Sequence, residues 1–255
     1  MFYTALLAQQ RALGRGARLL PSLRLLTGGG APCPPALFWA VRAELGAVLA
    51  HDYGMTEVPM ICVASPTDTD EQLAESDGAP IPGNRVRVTD GAAVLPAGQD
   101  GEIQVQGAAV FRGYTDPLQS EAAFTPDGWF RTGDRGHLRP DGHVEVTGRI
   151  KDLIIRKGEK IAPLELETLL AEHPAIAEVA VIGLPDEVRG ERVCAVLTVR
   201  SGVRPPALAD VSGFLRDAGI MAQKLPEQVE IVDQMPRTGL GKIAKIALRD
   251  RLSRA

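Results

Sequence analysis

Basic residues are in short supply. The 255-residue chain has 28 Lys and Arg against 32 Asp and Glu, a formal net charge of −4. No run of Lys or Arg is dense enough to follow a phosphate backbone, so nucleic acid is excluded as an expected partner. Cysteine is scarce as well. Cys33, Cys62 and Cys194 are far apart, odd in number and without metal-ligand spacing, which argues against a disulfide framework and a zinc site and fits reduced thiols in a cytoplasmic protein. No apolar run reaches the roughly 18 residues of a membrane span, and Met1-Phe2-Tyr3 lacks the charged start and apolar stretch of a signal peptide. Apolar material is plentiful at 45% of the residues, enough for one large domain or two modest ones.

The first part alternates strand and helix. Leu23 to Thr27 reads as a short strand, glycines follow, Pro34-Pro35 opens a helix to about Leu45, and Val48 to Ala50 resembles a second strand. Met1 to Leu20 is expected to hold a helix with Leu6, Leu7 and Leu13 as its apolar positions. A Pro-, Asp- and Gly-rich connection covers Ser65 to Gly83. Three strictly alternating segments then predict half-exposed strands of an antiparallel, barrel-like sheet: Arg85 to Val88, Glu102 to Gln106 and His143 to Val146. Beyond Gly148 the pattern becomes strand (Leu153 to Arg156), turn at Lys157-Gly158, amphipathic helix (Pro163 to Glu172) and two strands (Glu178 to Ile182, Val193 to Val199). A basic amphipathic tail helix, Lys242 to Leu252, follows. The expected division is a first domain at 1–149 and a small α+β domain at 150–255, an α/β and α+β chain overall.

Two glycine sites invite a nucleotide-binding reading, and neither passes alone. Gly28-Gly29-Gly30 lies between strand and helix as a dinucleotide loop would, but Cys33 stands where the third glycine of that motif belongs. Gly241-Lys242 resembles the end of a phosphate-binding loop, yet Pro236 replaces the upstream glycine and Ile243 follows the lysine where Ser or Thr is required. A plain turn is the commoner origin of each.

Several segments in order carry a resemblance that neither site carries by itself. They are Thr27-Gly28-Gly29-Gly30-Ala31-Pro32, Tyr53-Gly54-Met55-Thr56-Glu57, Trp129-Phe130-Arg131-Thr132-Gly133-Asp134, Gly148-Arg149-Ile150-Lys151-Asp152 with Lys157-Gly158-Glu159-Lys160-Ile161, and Pro236-Arg237-Thr238-Gly239-Leu240-Gly241-Lys242. Together they resemble the adenylate-forming superfamily of acyl-CoA synthetases, nonribosomal-peptide adenylation domains and firefly luciferase, from about Leu20 to the end. The resemblance implies the C-terminal part of the family's N-domain, a strand-helix unit plus the barrel-like sheet, followed by the family's mobile C-terminal domain.

It also implies roles. Joining a carboxylate to the α-phosphate of ATP brings two anions together, so cations and fixed dipoles are needed where charge accumulates. Thr56 would donate its hydroxyl to phosphate and Glu57 would hold Mg²⁺, whereas alone the Thr-Glu pair reads as a helix cap. Tyr53 would stack on adenine, against the alternative of a core aromatic. Gly29, Gly30 and Ala31 would line the adenine and acyl pocket with small side chains. Asp134 would accept the ribose hydroxyls, or else occupy a Gly-Asp turn. Arg149 would also reach the ribose, or sit in a surface ion pair. Lys242 is the leading catalytic candidate, reaching the α-phosphate and carboxylate; its plainer reading is a solvated lysine at a helix N-terminus, an electrostatically poor place for a cation. Lys151 would be the hinge on which the small domain swings.

The implied activity is an AMP-dependent acyl-CoA synthetase, a ligase with a place in fatty-acid metabolism, taking a carboxylic acid, ATP, Mg²⁺ and CoA. Loading of a carrier-protein thiol and an inactive nucleotide-binding fragment are the alternatives. The run Gly183-Leu184-Pro185-Asp186 with Gly190-Glu191-Arg192 looks more like free-standing CoA ligases. Family members are about twice as long, and their triphosphate loop lies upstream of the Gly28 region. That loop is absent here, so the chain is expected to be truncated, with exposed sheet edges that invite self-association.

Overall fold

The computed structural model describes residues 2–13, 17–239 and 241–253. Leu240 of the expected glycine loop therefore lies outside the described residues. The chain divides into two compact units, Met1–Val146 and Thr147–Ala255.

In the first unit, helix α1 (Phe2–Ala12) precedes strand β1 (Leu25–Gly29), helix α2 (Pro35–Ala40) with a π-helical turn at Val41–Leu45, and strands β2 (Val48–Met55) and β3 (Val58–Val63). Gly46 takes φ +67 and stops the π turn in the left-handed conformation that favours glycine. Helix α3 (Asp70–Glu75) and the short β4 (Ala79–Pro80) complete a sheet ordered β1-β2-β3-β4, in which β1 pairs parallel with β2 and the other pairs are antiparallel. Leu26, Phe38, Val41, Leu45, Leu49 and Leu73 bury one core against it. The connection at 65–83 contains α3, started by a reciprocal cap: Thr69 accepts from the Gln72 amide at 3.2 Å while the Gln72 side chain accepts from the Thr69 amide at 2.9 Å.

A second sheet follows, ordered β5 (Asn84–Thr89), β6 (Gly101–Gly107), β7 (Phe130–Leu138) and β8 (Val144–Arg149), with α4 (Pro117–Ala123) between β6 and β7. The alternating segments are strands as expected. The sheet is an open four-stranded one and closes no barrel among the described residues. Val88, Ile103, Val105, Phe130 and Val144 gather its inward positions with Tyr53, Val58 and Ile61 of the first sheet.

The second unit is built on one sheet, β10 (Glu159–Ile161), β9 (Ile154–Arg156), β12 (Gly190–Val199) and β11 (Ile176–Asp186) in that order, with β13 (Gln228–Ile231) parallel to β12. Its two long strands, β11 and β12, have central runs buried on both faces, and period-2 geometry sorts the side chains. Val193, Ala195 and Leu197 pack with Leu166 and Leu170 of α5 (Pro163–Leu170) and Val211 and Leu215 of α6 (Leu208–Asp217). Cys194 and Val196 on the opposite face pack with Leu248 of α7 (Lys245–Leu252) and Met235. The tail helix begins at Lys245, three residues later than its charge pattern suggests.

Candidate functional site

The glycines at the end of β1 exist because two backbones run side by side. Gly29 pairs with Asp52 across the parallel β1–β2 ladder, and a Cβ on Gly29 would stand 2.1 Å from the Asp52 carbonyl oxygen. A Cβ on Gly54 would stand 2.3 Å from the Pro59 carbonyl oxygen in the same way. Gly30 has φ +83 and open space around it. With Asp52, Met55, Pro59 and Met60, these three glycines line an open depression of about 260 Å³.

Tyr53 follows Asp52 on β2 and faces the other way. Its ring is 9% exposed within the core shared with the second sheet, and its hydroxyl donates to Asp134 Oδ2 at 2.7 Å. Burial, and then the Asp134 carboxylate, push that hydroxyl far above the ordinary range of a phenol. The core-aromatic alternative for Tyr53 thus describes its ring, while its polar end meets the second sequence candidate.

Asp134 is not in a turn. It lies inside β7, 3% exposed, at an irregularity where Ile103 alone on β6 opposes Thr132, Gly133 and Asp134, between the pairs Gln104–Arg131 and Glu102–Arg135. Gly133 takes φ +69 to absorb the extra length. The Thr132 hydroxyl donates to the Ile103 carbonyl at 2.7 Å and accepts from the Asp134 amide at 3.0 Å. The bulge aims Asp134 at Tyr53, and no local sequence signal announces it.

Thr56 and Glu57 form the two-residue turn between β2 and β3, not a helix cap. Thr56 is exposed, and Glu57 accepts a hydrogen bond from the Tyr114 hydroxyl at 2.8 Å on Oε1. Among the described residues no group of three or more His, Cys, Asp or Glu is gathered as a metal cage. A single hard carboxylate such as Glu57 suits Mg²⁺, which keeps waters and substrate phosphates as its remaining ligands.

In the second unit, Arg149 ends β8 and is exposed, and Lys151 is exposed on a 3₁₀ turn, Ile150–Asp152. The β9–β10 hairpin turns at Lys157 (φ +51) and Gly158 (φ +85), two successive left-handed residues that match the twist of a tight hairpin. Lys242 is exposed on a hairpin arm: the Thr238 amide donates to the Lys242 carbonyl at 2.8 Å, and Arg237 bridges Ile243. It stands outside α7, so the argument from a cation at a helix N-terminus does not apply.

Three residues near the site went unread in the sequence. His51 and Asp77 form a buried pair beside Ala31, and Tyr114 holds Glu57. The distances in sequence between partners, 26 residues for His51–Asp77 and 57 for Tyr114–Glu57, explain why only tertiary structure reveals them.

These features fit known proteins. The family model for AMP-binding enzymes matches residues 1–115, and that for the AMP-binding enzyme C-terminal domain matches residues 165–242. The chain belongs to the AMP-binding, adenylate-forming enzyme family. Among its relatives there is a 2,3-dihydroxybenzoate–AMP ligase of Bacillus subtilis, 38% identical over 238 residues, which cover 92% of this chain and 43% of that protein. Pyochelin synthase PchD of Pseudomonas aeruginosa is 40% identical over 239 residues, which cover 92% of this chain and 43% of that protein. Indoleacetate–CoA ligase of Aromatoleum aromaticum is 42% identical over 238 residues, 92% of this chain and 46% of its own. ATP-bound MatB from Rhodopseudomonas palustris superimposes with a TM-score of 0.84 at 34% identity, over 90% of this chain and 45% of that one. The chain spans less than half the length of these four proteins.

Proposed function

We propose that the chain supplies the residues that bind the nucleoside and α-phosphate of ATP in an ATP-dependent acid–thiol ligase that makes an acyl adenylate and passes the acyl group to CoA. The observation that carries the reading is the Tyr53–Asp134 pair, set on the strand whose glycine-bounded depression continues to Gly29 and Gly30. An ionised carboxylate accepts at two oxygens, so Asp134 can serve ribose hydroxyls as well as Tyr53. The roles proposed for the rest follow their chemistry. Gly29, Gly30 and Ala31 admit the adenine closely, Thr56 donates to phosphate, Glu57 would hold Mg²⁺, which when bound offsets phosphate charge, Arg149 serves the ribose, and Lys242 neutralises charge at the α-phosphate. Lys151 is proposed as the hinge. A loss on the order of 10²–10³-fold is typical when such a preorganised charge is removed.

The 42% identity to an indoleacetate–CoA ligase supports CoA as the thiol. A cytoplasmic setting is supported by three free cysteines and by the lack, among the described residues, of a helix long and apolar enough to cross a membrane. The outer edge of β1, with Leu25 39% exposed, is the proposed route of any self-association.

The groups assigned here address the nucleoside and the α-phosphate, so nucleoside recognition should dominate. In calorimetry AMP should bind, and ATP should bind within a few-fold of it. Tight ATP binding with none for AMP would defeat the reading. Pyrophosphate exchange across a panel of carboxylic acids, followed by CoA or carrier-protein capture, identifies the acid and the thiol.

A further inference from the structure

His51 lies on β2, 5% exposed, and both of its ring nitrogens face oxygen acceptors. Nδ1 is 2.8 Å from Asp77 Oδ1, and Nε2 is 2.9 Å from the carbonyl oxygen of Ala31. A carbonyl only accepts, and so does an ionised carboxylate. Neutral imidazole has one N–H and can serve one of these partners, whereas imidazolium serves both. Asp77 cannot turn away to relieve the conflict. Its Oδ2 accepts from the Val146 amide at 2.8 Å, and its own amide donates to the Val144 carbonyl at 2.8 Å, which pins it to β8.

Ala31 closes the segment whose Gly29 and Gly30 line the depression. Gly30 has no steric neighbour to hold it and adopts a conformation open to glycine. The Ala31 carbonyl is therefore a fixed point beyond the ladder that holds Gly29, with the sterically unencumbered Gly30 between them. We propose that His51 is a positioning residue that latches the Gly29–Ala31 segment in its nucleotide-facing form only while it is an imidazolium. The inference rests on the nucleotide reading of that segment.

The surroundings favour the proton. Burial draws His51 downward, but the hydrogen bond and charge of Asp77, the Ala31 carbonyl and Asp52 outweigh it, and the group ends above its ordinary 6.5. Glu145 of β8 is a further carboxylate that interacts with Asp77, and burial raises it while His137 and Arg139 draw it down. The nearby thiols carry no charge at neutral pH: burial and then Asp77 push Cys33 up to about 11, and Cys62 higher still. A raised folded-state value means that the latch is complete at low pH, below the value of an unfolded imidazole, and is lost as pH rises through the folded-state value. When the proton leaves, the remaining N–H stays with the carboxylate, the stronger partner. The Nε2 lone pair then faces the Ala31 oxygen, and the segment is released.

Imidazole nitrogen NMR on the full chain tests the latch without any nucleotide. At pH 6 both His51 nitrogens should carry protons, and the Gly29 and Gly30 amide resonances should move with the same midpoint as His51. AMP affinity by calorimetry should fall about fivefold on passing above that midpoint, the effect of one lost hydrogen bond. His51→Gln retains one amide donor for Ala31 and does not titrate, so its AMP affinity should be flat across the range. A neutral His51 at pH 6 would overturn the proposal. So would glycine resonances that ignore the His51 titration, or an AMP affinity with the same pH step in His51→Gln. Failure of AMP to bind at every pH, with the glycines still tracking His51, would sink the nucleotide reading and leave the latch standing.

Discussion

At the scale of single residues, the site depends on buried polar atoms having partners. The Tyr53 hydroxyl is the group that meets Asp134 Oδ2, at 2.7 Å and out of water. Tyr53→Phe keeps the ring in its core position and removes one buried hydrogen bond to the Asp134 carboxylate. A hydrogen bond to a charged group contributes about 1.5–3 kcal/mol. Urea denaturation should register a loss in that range, and the AMP affinity of the folded variant should fall as Asp134 becomes less well fixed. A variant as stable as the parent would mean that the hydroxyl is satisfied equally well by water in the unfolded chain and that Asp134 needs no help from it. Glu57 is held in the same manner by Tyr114, but on an exposed hydroxyl, where a hydrogen bond contributes less.

At the scale of elements, the β1–β2 ladder decides which side chains the depression can have. A methyl on Gly29 would meet main-chain atoms of Asp52, its carbonyl oxygen at 2.1 Å and its carbonyl carbon at 2.9 Å, which cannot rotate away as a flexible side chain could. Gly29→Ala must therefore part the two strands, and overpacking of this kind costs about 1–3 kcal/mol. Thermal unfolding should show that loss, whereas Gly30→Ala, with no atom near its added carbon, should show only the smaller strain of a non-glycine residue at φ +83. Equal losses at the two positions would refute the steric account. The elements themselves were legible in proportion to their regularity. β5, β6 and β12 read directly from alternating or continuous apolar positions, and the positions of α2 and α5 followed from Pro35 and Pro163 at their starts. β7 did not, because Arg131-Thr132-Gly133-Asp134-Arg135-Gly136-His137 breaks the alternation with a three-residue bulge, which is also what makes it useful. α3 hid in a stretch judged by its Pro, Asp and Gly content, although Thr69 and Gln72 spell a capping box. The motifs named candidate residues but not where the fold puts them. That Asp134 sits in a strand, that Thr56 and Glu57 cap a hairpin, and that Lys242 stands apart from the last helix are tertiary facts.

At the scale of the whole molecule, the two units have separate hydrophobic stores. Residues 7–144 supply the two cores of the first unit, and residues 154–252 supply the two of the second. Each unit can thus gain most of its burial energy alone, the condition for independent cooperative unfolding. The chain provides its own reporter, since both tryptophans, Trp39 and Trp129, lie in the first unit. Leu166 is fully buried between α5 and the second unit's sheet. Leu166→Ala should cost that unit about 2–5 kcal/mol, the usual range for a large-to-small change in a core. In a urea titration the far-ultraviolet circular dichroism should then resolve an earlier transition, while the tryptophan fluorescence midpoint stays where it was. Ile103→Ala, fully buried in the first unit, should do the reverse and draw the fluorescence midpoint down. If Leu166→Ala moved both signals together, the two units would be unfolding as one body, and the separate cores would not be separate in energy.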